Sequence, residues 1–208
     1  MNTNPTKDAE RSLHQIALNQ AGYFTAKQAK SAGYADSTHL YHVKNGDWTK
    51  ELRGIYRISD FPYVSDRPEL TMWQLWSRNN TEIAQGTFSY ETALDLYDLS
   101  DNIPHKIHIT VPKKFRKSEV PKILQLHYEN LKPSDIQNKN GVQVTSIPKT
   151  FLDLIDSQTI STSLISQGLE QAFKRGLLLH SDLTEHSLTG SDLAKKTLLQ
   201  LASKLQND

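Results

Sequence analysis

Glycines at positions 22, 33, 46 and 54 cut residues 22–60 into pieces too short for anything but brief helices and strands. Gly22 stops an apolar stripe, Leu13, Ile16 and Ala17, that suits one face of a helix. Thr25 follows Phe24 and is placed to cap a short helix over Ala26 to Lys30 through its hydroxyl. Gly33 breaks that helix, and Asp36 or Ser37 can cap a second one running through His39, Leu40, Tyr41, His42 and Val43 to Asn45-Gly46. Two short helices around a glycine-containing turn form the helix-turn-helix pattern. Beyond Gly46 the period changes. Trp48, Leu52, Ile55, Tyr56 and Ile58, interrupted by Arg53-Gly54, predict two short strands and a turn, a wing.

A winged helix-turn-helix suggests duplex DNA as a partner, with a purely structural or protein-binding winged domain as the alternative. Leu40 and Val43 are expected to face the core of the second helix. That leaves Ser37, Thr38, Tyr41 and His42 nearest the bases, because hydroxyls and a neutral imidazole can bond base edges. Lys44, with Lys50, Arg53 and Arg57 of the wing, is expected to pair with phosphate. His39 and His42 are expected at the surface or partly buried, and not as metal ligands.

The remainder predicts a second, larger domain. The segment FPYVSDRP reads as a linker, which gives a winged domain over 1–60 and a further domain over 68–208, with the first ten residues or so as a tail. ELTMWQLWSRN is helix-like, with Leu70, Trp73 and Trp76 available to one apolar face. Ser89 is placed to cap a helix over YETALDLYDL. KIHITV alternates Ile107, Ile109 and Val111 as a half-buried strand, and KILQLHYENL and GVQVTSI are further strand candidates. From Pro148 the pattern turns helical. The expected class is α+β: a winged helix-turn-helix plus a larger domain with a small sheet and several helices.

Composition narrows function mostly by exclusion. Zero cysteines among 208 residues rule out disulfides, thiolate zinc sites and a cysteine nucleophile. No apolar run approaches the roughly 20 residues of a spanning helix, so no membrane partner is expected. The polar opening MNTNPTKDAERS lacks the apolar stretch of a secretory signal, which makes the cytoplasm the expected compartment. A net charge of +1 does not mark a nucleic-acid binder by itself, because phosphate affinity comes from local clusters. The densest such cluster is Lys113, Lys114, Arg116 and Lys117 in KIHITVPKKFRK, a solvated loop or a second DNA contact. Glycine-rich phosphate loops, HExxH and G-x-S-x-G are absent, so no catalytic residue, cofactor or metal is expected. Glu91, Asp95, Asp98 and Asp101 cluster around one helix as an ordinary solvated face. His105 and His108, three apart, are expected on opposite faces of a strand and not as a joint site.

Three stretches together resemble the AbiEi antitoxins of bacterial type IV toxin-antitoxin and phage abortive-infection systems. They are AGYFTAKQAKSAGYADSTHLYHVKNGDWTKELRGIYRI, TFSYETALDLYDLSDNIPHKIHITVPKKFRK and GVQVTSIPKTFLDLI, and the resemblance spans residues 12–180. It implies a non-catalytic protein whose winged domain represses its own operon by binding inverted repeats in the promoter, while the larger domain supplies antitoxin activity. It also implies a functional counterpart, the nucleotidyltransferase-like toxin AbiEii, countered without a stable complex. Some relatives carry a nuclease-like domain, but no D…E-x-K arrangement follows residue 150 here. The rivals are a stand-alone transcriptional regulator with an effector-binding C-terminal domain and a nucleic-acid-processing enzyme.

Overall fold

The computed structural model describes residues 6–62, 67–101, 103–184 and 188–207, and its fold is α+β, with two small sheets and several helices. It divides into two units, Met1–Gln85 with Asn140–Val142, and Gly86–Lys139 with Gln143–Asp208.

The first unit runs α1 (Lys7–Leu18), β1 (Tyr23–Thr25), α2 (Ala26–Ala32), a 3-10 turn (Asp36–Thr38), α3 (His39–Asn45), β2 (Trp48–Leu52) and β3 (Ile55–Ile58). Its strands form an antiparallel sheet in the order β1-β3-β2, the winged arrangement expected from the glycine spacing. α1 begins inside the segment expected to be a tail: Thr6 Oγ1 accepts from Ala9 N, and Ala9 is buried. Thr25 caps α2 as expected, accepting from Gln28 N while the Gln28 side chain accepts from Thr25 N. That exchange satisfies two of the donors a helix start leaves open. Gly22 is required twice over. Its φ is +88°, and a Cβ there would sit 2.8 Å from the Phe61 ring.

The core of this unit is aromatic. Phe24 meets Trp48 edge-on at 4.8 Å and stacks on Tyr56 at 5.9 Å, with Leu13, Ala29 and Tyr34 closing around them. Each large apolar side chain removed from water contributes roughly 1.5–3 kcal/mol, so these few rings hold the short helices and strands together.

α4 (Pro68–Trp76) corrects the expected boundary. It was expected to open the second domain, yet it packs on β1 and β3 and belongs to the first unit. The reason is apolar surface. Leu70, Met72, Trp73 and Leu75 are all buried, which gives the helix too much apolar surface for a linker-side position. The chain beyond α4 is also tied down, by Thr25 Oγ1 donating to Glu82 Oε2 at 2.7 Å and Arg78 Nη2 donating to Gln20 Oε1 at 2.7 Å. The unit therefore extends to Gln85 and not to residue 60. Residues 63–66 of the expected linker lie outside the described residues.

The second unit contains β4 (Thr87–Phe88), α5 (Tyr90–Leu96), β5 (Ile107–Val111), β6 (Leu124–Tyr128), β7 (Ile136–Lys139), β8 (Val142–Thr145), α6 (Ile147–Ser157), α7 (Thr162–Lys174) and α8 (Asp192–Asn207). Its sheet order is β6-β5-β4-β8-β7. β5 is antiparallel to β4 and parallel to β6. All five residues of β5 are buried, where a half-buried strand was expected, because it lies inside the sheet and α5 packs on it. Ser89 stands at the N-cap of α5 in extended conformation, but makes no cap bond. Its hydroxyl accepts from Thr110 Oγ1 at 2.8 Å instead, joining the helix start to the neighbouring strand.

Candidate nucleic-acid interface

α3 follows directly on the 3-10 turn Asp36–Thr38, and the rings of Tyr34, Trp48 and Tyr56 pack against its inward side. The outcome reverses part of the expected facing. His39 and His42 point into the core, Val43 is half-buried, and Leu40, expected in the core, is 62% exposed.

His42 is the clearest correction among the expected base contacts. It is 3% exposed, and its ring stacks on Trp48 at 4.7 Å and meets Tyr34 edge-on at 5.2 Å. Its Nδ1 lies 2.9 Å from Asp47 Oδ2, which gives the buried imidazole a partner. The hydrogen-bonding carboxylate and the flat indole follow one another in sequence, Asp47-Trp48, and that pair is the signal the sequence held for a buried His42. His39 is likewise enclosed, between Trp48 and Tyr56, and burial pulls its pKa below the ordinary histidine value.

Arg57, expected on phosphate, is corrected for a similar reason. It is 8% exposed on β3, its Nη2 donates to Phe61 O at 2.9 Å, and its guanidinium lies over the Tyr23 ring at 5.8 Å. Its register explains this: it is cross-strand from both Tyr23 and Thr49, in the middle strand of the sheet. Thr38 is half-buried, and its hydroxyl donates to Ala35 O at 2.8 Å.

The remaining expected residues are exposed. Leu40, Tyr41 and Lys44 are exposed along one side of α3, and exposed Ser37 in the 3-10 turn precedes them, so the four make one outward stripe. Tyr41 is 42% exposed, with its ring set edge-on to His42 at 5.4 Å. Lys50 on β2 and Arg53 in the wing turn are exposed as well, as is Glu51 between them. Two of the nearby acids are engaged within the unit, while Glu51 is exposed beside the wing cations. Asp36 accepts from Lys30 at 2.8 Å, and Asp47 is bonded to His42 and Asn45. The chemistry on offer is a hydroxyl, two large apolar or aromatic groups and a cation along a helix, flanked by two wing cations.

In the second unit, Lys113, Lys114, Arg116 and Lys117 are exposed on the loop after β5, and buried Phe115 anchors that loop. Arg116 Nη1 donates to Lys113 O and to Phe115 O, which folds its side chain back along the loop.

A polar cluster that the sequence reading missed lies among α5, β5, β6 and α6. His108 Nδ1 is 3.0 Å from His127 Nε2, and Tyr90 stacks on His127 at 3.7 Å. Burial lowers the pKa of both histidines, that of His127 to about 4. Lys149 donates to both carboxylate oxygens of Glu129 and to Asp153 Oδ1, at 2.7–2.9 Å. Burial disfavours the Lys149 charge, but these carboxylates more than offset it and raise its pKa. Asp153 is 5% exposed, and burial pushes its carboxyl up to about 7 against the pull of Lys149. Tyr90, Glu129, Lys149, Asp153, Asp156 and Lys195 border a cleft of ≈ 560 Å³. Only the i, i+4 spacing of Lys149 and Asp153 was visible beforehand; His108 and His127 meet because their strands are adjacent. Among the described residues no group of three or more His, Asp or Glu is arranged to hold a metal ion. Glu91, Asp95, Asp98 and Asp101 converge on no such site.

No family model matches the chain, and no curated protein matches it. Among solved structures it is similar to the crystal structure of the RV2827C protein from Mycobacterium tuberculosis. That match has 13% identity and a TM-score of 0.43, over 98% of this chain and 78% of that one.

Proposed function

We propose that this chain is a DNA-binding autorepressor and antitoxin of the AbiEi kind, with α3 and the wing reading the promoter of its own operon. The observation that carries the DNA-binding part is the outward stripe Ser37, Leu40, Tyr41 and Lys44 beside Lys50 and Arg53. A helix of this size fits the major groove of B-DNA, and cations beside it suit the phosphates at the groove's edges. In this reading Ser37, Leu40 and Tyr41 face bases, Lys44, Lys50 and Arg53 face phosphate, and the loop at Lys113, Lys114, Arg116 and Lys117 makes a second backbone contact. The antitoxin part is supported by the resemblance of the three sequence stretches. Its counterpart is a nucleotidyltransferase-like toxin, countered without a stable complex. The chain acts in the cytoplasm without a catalytic role. No described helix is long and apolar enough to cross a membrane.

Two cellular experiments test the two halves separately. A reporter driven by the operon promoter is repressed when the chain is supplied in trans, and Lys50→Ala with Arg53→Ala relieves that repression; unchanged expression contradicts the DNA-binding half. Co-expression with the toxin encoded by the adjacent gene restores growth, and continued growth arrest contradicts the antitoxin half. A second reading, a regulator that binds a small effector, is favoured by the cleft bordered by Tyr90, Glu129, Lys149 and Asp153. It predicts repression without any rescue of growth.

A further inference from the structure

Leu40 is out of place for a side chain whose only task is folding. It is 62% exposed in the first turn of α3, while His39 before it and His42 after it occupy the core positions. Burying a leucine stabilises a fold, and the winged unit leaves most of this side chain in water. Its neighbours on the stripe are a hydroxyl at one end, Ser37, an aromatic ring beside it, Tyr41, and a cation at the other end, Lys44. The surface is therefore an apolar centre in a polar frame, with Lys50 and Arg53 exposed on the wing.

A B-DNA major groove has the complementary pattern. Its edges are phosphates, its floor presents hydrogen-bonding base edges, and its apolar feature is the 5-methyl group of thymine. A protein partner would meet the same leucine, but Lys44, Lys50 and Arg53 outnumber the exposed Glu51, with Asp36 and Asp47 already bonded within the unit, and that balance favours an anionic frame. Resting on the proposed reading of α3 as the groove helix, we infer that Leu40 reads thymine through its 5-methyl group. Each operator half-site then carries a thymine facing the centre of the stripe, with the adjacent Tyr41 ring limiting which bases fit beside it.

Replacing a thymine by uracil removes the methyl group and leaves base pairing and the major-groove acceptor O4 intact. The half-sites are first located by footprinting the chain on its promoter. Each thymine is then replaced singly by deoxyuridine, and affinity is measured at fixed salt for the native chain and for Leu40→Ala. The substitution is at an exposed position, so the variant retains its fold, which circular dichroism confirms. One position in each half-site is expected to lose roughly fourfold affinity per methyl with the native chain, the scale of one apolar carbon removed from contact. Leu40→Ala binds thymine and uracil there equally. Loss of affinity at no position, or equal loss in both proteins, overturns the inference while promoter binding itself stands. Absence of any preference for the promoter overturns this inference and the proposed function together.

Discussion

Two arginines in one hairpin, Arg53 and Arg57, have opposite fates, because one sits in the turn and the other in the middle strand of a sheet. Arg53 is solvated at the wing tip, while Arg57 spends its guanidinium on Phe61 O and the Tyr23 ring. Their alanine variants should therefore separate cleanly. Arg53→Ala is expected to leave the unfolding free energy from urea titration within about 0.5 kcal/mol of native, and to lower both promoter affinity and its salt slope by about one phosphate contact. Arg57→Ala is expected to destabilise by about 2 kcal/mol through lost packing and a buried carbonyl left without its donor. Its salt slope stays native in the fraction that remains folded. If Arg57→Ala instead lowers the salt slope at native stability, the assignment of the wing contacts is wrong. The same logic governs His42, whose loss would open a gap beside Trp48 and Tyr34, and whose effect belongs to stability before it belongs to binding.

Among elements, what could be read in advance was whatever local chain chemistry determines. Thr25 and Gln28 announce the start of α2, Gly33 and Gly46 its end and that of α3, and Arg53-Gly54 the wing turn, and each of these holds. Helix phase was not legible. Val43 packs against the core as expected, but Leu40, equally apolar, is exposed, and the inward positions of α3 are taken by His39 and His42 against Trp48. Nor was the partner of α4, since the burial of Leu70, Met72, Trp73 and Leu75 says that it packs but not against which sheet. The pair His108 and His127 was invisible because it depends on β5 lying parallel to β6. That pair makes an element-level prediction about acid. In the folded chain His127 titrates near 4, below its ordinary 6.5, because burial and His108 disfavour its charge. The unfolded chain thus binds the extra proton between about pH 6.5 and pH 4, and stability must fall as pH falls through that window. Between pH 7 and pH 5 the native chain should lose about 1–2 kcal/mol more than His127→Phe, measured by urea unfolding at both values. Equal losses would show that His127 is protonated in the folded chain.

For the whole molecule, a net charge of +1 means that the proposed DNA affinity has to come from local clusters. Lys113, Lys114, Arg116 and Lys117 form one such cluster along the chain, and Lys44, Lys50 and Arg53 are exposed cations of the winged unit. Reversing the charge at Lys113, Lys114, Arg116 and Lys117 is expected to weaken promoter and scrambled DNA about equally and to reduce the salt slope, because backbone contacts carry no sequence information. An unchanged affinity and slope would return that loop to the role of solvated surface. The central claim, that α3 and the wing form a promoter-reading surface, is tested most directly by a gel-shift titration. The purified chain is titrated with its own operon promoter and with scrambled DNA of equal length at several salt concentrations. The account predicts selective retardation of the promoter that weakens as salt rises. Equal retardation of both DNAs, or none of either, would contradict it and leave the winged unit a structural one.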